Sequence, residues 1–142
     1  MVSEIIRVAA RGEGVTADGR HAAFAAPGDL LADDGSITPG PHHQTPPCRH
    51  FPACGGCQLQ HLDDESWAGF ITDRIAGALA AQGIEAPAIA APHLSPPHSR
   101  RRATLHYDPA GRIGFSAEKS HALVDLHECH VLSPALFALV KP

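Results

Sequence analysis

Cys48, Cys54 and Cys57 fall within ten residues, and Cys129 lies far along the chain, giving the pattern C-x5-C-x2-C-x71-C. Thiolates are soft ligands, and four of them suit either a zinc ion or an iron–sulfur cluster. Structural zinc sites commonly use two C-x2-C knuckles, and only Cys54 and Cys57 make one here. A cubane is a larger body. A loop can wrap three of its corners while a distant residue closes the fourth. The intervening Gly55 and Gly56 have no side chains, so backbone N–H groups can approach sulfur. Spacing alone leaves iron–sulfur, zinc and unrelated thiols open. The ferredoxin run C-x2-C-x2-C-x3-C-P is absent, which argues against a simple electron carrier.

The elements that must position these cysteines are short. The chain has 142 residues, with 13 glycines and 13 prolines, and aromatics make up only 5 %. That composition favours loops and short strands around a core of small side chains. Residues 2–9 read as a strand, followed by turns at 11–14 and 17–20, and 21–26 as a second strand ended by Pro27-Gly28. Residues 39–47 and 86–99 are Pro-rich connectors. Asp63 is placed to cap a helix whose first turn is acidic. Trp67, Phe70, Ile71, Ile75, Ala78 and Leu79 form its packing stripe, and Gly83 stops it. Arg101–Tyr107 alternates as a strand, turns at 108–111 and returns through 112–116 as a hairpin. Leu123–Leu126 is a third strand, and Ser133-Pro134 opens a last helix. The expected class is α+β.

Net charge is −4 with histidines neutral, which argues against indiscriminate nucleic-acid binding. No apolar run approaches the ~18 residues of a membrane span. The first twenty residues lack a secretory h-region, so a cytoplasmic protein is expected, and there cysteines serve as ligands or thiols more than as disulfides.

The stretch C-x5-C-G-G-C-x-L-Q-H at 48–61 resembles the cluster-binding signature of bacterial RNA uracil-5-methyltransferases, which make 5-methyluridine in 23S ribosomal RNA. Cys129, in LVDLHECHVLSPAL, sits where that family carries its fourth ligand. RRRATLHYDPAGRIGFSAEKSHALVD resembles its central β domain, and RVAARGEGVTADGR and AAPGD resemble parts of the OB-like TRAM domain. The resemblance implies a [4Fe–4S] cluster on Cys48, Cys54, Cys57 and Cys129, with RNA, and 23S rRNA in particular, as partner.

It implies four parts: a shortened TRAM-like β segment at 1–38, a linker and cysteine loop at 39–62, a helix at 63–84, and an incomplete central β domain at 85–142. S-adenosylmethionine would bind only in a Rossmann-like domain, and no such Gly-rich loop occurs in these residues. The expectation is therefore a non-catalytic portion of the enzyme, truncated before that domain, and monomeric. The alternative is a zinc-binding interaction module.

Arg100, Arg101 and Arg102 form the only dense cationic run and are the candidate RNA contacts. Lys119 and His121 are weaker candidates. Tyr107 and Phe115 are able to stack on bases, but packing is the favoured role. His42, His43, His50, His61, His127 and His130 flank the cysteines; any one could ligate metal or hydrogen-bond a sulfur, and each alone reads as a surface residue.

Overall fold

The computed structural model describes residues 1–141. It is an α+β protein with eight short strands and two helices. Its backbone contacts divide it into two units. The first comprises residues 1–45 and 61–94, the second 46–60 and 95–142.

The first unit is built on strand β1 (Val2–Val8). Its start pairs antiparallel with β4 (Leu30–Ala32) and its end with β2 (Gly14–Thr16). β3 (His21–Ala22) and β5 (Ile37–Thr38) add at the edges, giving the order β3-β2-β1-β4-β5. The register slips between Ile5 and Arg7. Such a bulge bends a strand, so one strand serves both halves of a curled sheet. Ile5, Ala22, Ala25 and Leu31 close the core beneath it. Gly14 lies so close to Ala25 and Ile5 that a Cβ there would meet them at 2.7–2.8 Å. The second strand expected at 21–26 stops after Ala22, because Phe24 turns into the left-handed region (φ 56°).

Helix α1 (Asp64–Ala80) forms where expected. Asp63 caps it by accepting the Ser66 N–H at 2.8 Å. Past its end the Ile84 N–H returns to the Leu79 carbonyl, with Gly83 left-handed at φ 71°. The expected packing of its apolar stripe is only partial. Trp67, Phe70, Ile71 and Leu79 are half-buried, Ile75 is 48 % exposed, and no residue of α1 is fully buried.

In the second unit β6 (His106–Tyr107), β7 (Ile113–Ser116) and β8 (Leu123–Asp125) form a three-stranded antiparallel sheet, and α2 (Pro134–Val140) follows. The strand expected from Arg101 is much shorter. Residues 101–105 are irregular, because their place along β7 is taken by the cysteine loop. The Gly55 N–H donates to the Ser116 carbonyl at 2.9 Å, and Cys54 bridges Ala117. Arg100 instead pairs in parallel with Leu132. No helix of the described residues is long and apolar enough to cross a membrane.

Candidate metal centre

The cysteine loop and the segment after β8 meet within the second unit. The Arg49 N–H donates to Glu128 Oε1 at 2.8 Å, and its Nε lies 3.2 Å from Oε2. The His127 N–H donates to His50 Nε2 at 3.0 Å, and the two imidazoles stack with centroids 6.0 Å apart. These contacts join residues nearly eighty positions apart. They set Cys129 beside the loop, so that Cys48, Cys54, Cys57 and Cys129 line one pocket. Phe51, Phe115 and Leu126 supply its apolar wall.

The two glycines of the loop have a packing role in addition to the one expected from their N–H groups. A Cβ on Gly55 would sit 2.6 Å from the Ser116 carbonyl oxygen, and one on Gly56 would sit 2.8 Å from the Phe115 ring. Only glycine lets β7 lie this close. The Gly56 N–H also points at Cys54 Sγ, 3.4 Å away. Inside the loop the Cys48 N–H donates to Gln60 Oε1 at 3.1 Å.

All four cysteines are free thiols, and Cys48 and Cys54 are buried. Burial pushes the Cys54 thiol pKa up, opposed by the Gly56 N–H. Burial likewise raises Cys57, opposed by a hydrogen bond from Gln60 and by the charge of Arg100. The other cysteines add to both shifts in the same direction. Four sulfurs that repel one another as anions, in an apolar pocket, suit a cationic metal centre that compensates their charge. Among the described residues no three cysteine sulfurs lie within 4.8 Å of one another; the group that meets this spacing is His42, Asp63 and Glu65. There His42 Nδ1 is 2.8 Å from Asp63 Oδ2 and 4.0 Å from Glu65.

The remaining candidates separate. Arg100 is anchored by its backbone to Val131 and Ser133, while Arg101 and Arg102 are exposed on irregular chain. Lys119 and His121 are exposed in the β7–β8 turn. Phe115 packs on Gly56 as expected, but Tyr107 does not pack: it is 82 % exposed, because β6 is an edge strand only two residues long.

The histidines also depart from simple surface residues. His61 is buried, with Phe24 and His43 beside it, and burial lowers its pKa to about 4. His43 Nδ1 bonds the fully buried Asp29 at 2.7 Å. That carboxylate also accepts the Ala26 and Gly40 N–H groups, at 2.8 and 2.7 Å. His130 lines the cysteine pocket. Sequence reasoning missed Arg49, Glu128 and Gln60 as the residues that shape this pocket. Arg49 and Glu128 are sequence neighbours of Cys48 and Cys129, and Gln60 follows Cys57 by three residues, but the sequence does not show that they meet.

No family model matches the chain. Curated relatives do, and they define a class: the chain is homologous to proteins named RNA methyltransferases. It is 46 % identical over 139 residues to an uncharacterized RNA methyltransferase of Zymomonas mobilis, an alignment covering 96 % of the chain and 35 % of that protein. A second, from Caulobacter vibrioides, is 34 % identical over 149 residues, covering 92 % of the chain and 36 % of the relative. More particularly, the chain is 44 % identical over 102 residues to the 23S rRNA (uracil(1939)-C(5))-methyltransferase RlmD of Halomonas elongata, across 68 % of the chain and 21 % of that enzyme. The chain thus spans about a third or less of the length of these relatives.

Proposed function

We propose that these residues are the RNA-binding, cluster-carrying part of an S-adenosylmethionine-dependent methyltransferase that forms 5-methyluridine in 23S ribosomal RNA. The observation that carries the proposal is the convergence of Cys48, Cys54, Cys57 and Cys129 on one apolar-walled pocket. These four would be the ligands of a [4Fe–4S] cluster. A tetrahedral zinc ion with Zn–S bonds of about 2.3 Å needs sulfurs about 3.8 Å apart. The larger cubane is the reading that a three-cysteine loop with a distant fourth thiol supports.

The cluster, when bound, supplies a rigid four-point cross-link and delocalised positive charge among the thiolates. The chain's own residues do the rest. Phe51, Phe115 and Leu126 keep water out, the Gly56 N–H stabilises negative charge on Cys54 Sγ, and the Arg49–Glu128 pair holds Cys129 against the loop.

In the same proposal, residues 1–38 are a shortened, OB-like TRAM segment, and 39–62 and 63–84 are the linker with its cysteine loop and the helix. Residues 85–142 belong to the central β domain. Arg100, Arg101 and Arg102 hold RNA phosphates. Methyl transfer to uracil C5 needs a nucleophilic cysteine at C6, a carboxylate base and S-adenosylmethionine. These would belong to the rest of a protein of the relatives' length. The working form is a cytoplasmic monomer.

The test is RNA binding by anaerobically purified chain. Wild type is expected to retain labelled 23S rRNA fragments. Replacing Arg100, Arg101 and Arg102 together by Ala should abolish retention with cluster absorbance unchanged. Equal retention by the triple variant overturns the assignment of the arginines, and no retention by wild type overturns the RNA function.

A further inference from the structure

The sheet of the second unit borders a second concavity beside the cysteine pocket, and Phe115 lines both. Phe115 and Leu126 point toward the cysteines. The register pairs His106 with Gly114 and Gly114 with Asp125, so His106 and Ser116 alternate onto the opposite side. Beside them an open groove of about 290 Å3 is lined by His106, Phe115, Ser116, Ala117, Glu118 and Lys119, with Gly55 of the cysteine loop as one wall. Ligand pockets for larger molecules run roughly 300–1,000 Å3. This groove falls just below that range, which suits a single unit of a polymer over a whole larger ligand.

Its rim is held firmly. The turn that carries Lys119 is closed by the Ser120 N–H on the Ala117 carbonyl, at 3.1 Å, and by the Ala117 N–H on the Ala122 carbonyl, at 2.7 Å. The Glu118 N–H clips the turn to Ala53 of the cysteine loop at 3.0 Å. Lys119 itself is left-handed, at φ 53°. A non-glycine residue held in that conformation costs energy and often marks a functional position.

We propose that this groove binds one nucleotide of single-stranded RNA, a subsite that rests on the RNA function above. Three features choose that occupant. The groove is open to solvent along one side, so it suits a segment of a passing polymer better than an enclosed small molecule. It offers donors, from Lys119, His106 and Ser116, for phosphate and ribose oxygens. It also offers the Glu118 carboxylate, which repels a bare anion but accepts a base N–H. A nucleotide carries both complements. Tyr107, adjacent to His106 and 82 % exposed, stands ready to stack on a neighbouring base.

The experiment titrates the anaerobically purified chain with a fluorescent single-stranded RNA over a range of salt. Lys119→Asn removes the ammonium and keeps a residue tolerant of the left-handed turn. It is expected to weaken binding about tenfold and to make the dependence of log K on log salt shallower by about one. Lys119→Arg should restore both, and His106→Ala and Tyr107→Ala should each weaken binding, all with unchanged cluster absorbance. Lys119→Asn binding as wild type does, while replacement of Arg100 to Arg102 still abolishes binding, overturns the groove and leaves the RNA function standing. Absence of binding by wild type itself removes both.

Discussion

The two units are held together by different means. The first buries Ile5, Val15, Ala22, Ala25, Ala26, Leu31 and Leu62. Among its described residues the second buries only Leu126 and Leu132 of the aliphatic side chains larger than alanine, and its other buried apolar groups are Cys48 and Cys54. A fold with so little apolar burial gains stability from cross-links or bound metal. The difference teaches that one chain combines a sheet closed over an aliphatic core with a region whose few buried apolar groups include two of the cysteines proposed as ligands.

Removing the proposed cluster is the strongest way to break that contrast. Chelation under oxidising conditions is expected to erase amide protection in β7, β8 and the 48–57 loop while β1 and β2 keep theirs, as read by hydrogen exchange on the full chain. Equal loss in both units would show that they do not differ. Ile5→Ala should do the converse. It opens a cavity in the first unit at a cost of about 2–5 kcal/mol, seen in denaturant unfolding, with cluster absorbance at low denaturant intact.

Acid sharpens the comparison from another side. His61 is buried neutral, with its pKa lowered to about 4 from an ordinary 6.5. Between those values the unfolded chain binds the extra proton. The stabilisation is therefore complete above pH 6.5 and is lost as pH falls toward 4, an effect of order 3 kcal/mol or less. The hydrogen bond and charge of Asp63 raise the pKa of His42. Its contribution runs the other way, present below pH 6.5 and lost as pH rises through the raised value. Denaturant midpoints of the first unit against pH should fall toward pH 4, and His61→Leu should flatten that fall. The smallest effect is at the helix cap: Asp63→Ala should cost about 1 kcal/mol by freeing the Ser66 N–H.

Local signals were legible where local physics decides. The cap at Asp63, the left-handed Gly83, the 17–20 turn and Pro at the head of α2 each act within a few residues, and each appears as expected. Strand ends were not legible, because they depend on distant partners. Residues 101–105 alternate like a strand, yet the cysteine loop already occupies the edge of β7 they would need. The role of Asp29 was hidden for the same reason: its three partners at Ala26, Gly40 and His43 meet only in the fold. At the candidate site, spacing pointed to the early three cysteines. Cys129 entered as a distant fourth thiol, which the resemblance placed as the remaining ligand, but the Arg49–Glu128 clamp that brings it in joins residues 79 positions apart and forms only in the fold.

The central claim is that four cysteines from distant parts of the chain share one inorganic cluster. Iron, acid-labile sulfide and zinc should be measured together on anaerobically purified wild type and Cys129→Ser. A [4Fe–4S] cluster predicts equal iron and sulfide, about four of each per wild-type chain, with a sharp fall in the variant. One zinc per chain without sulfide, or iron unaffected by loss of Cys129, would contradict it.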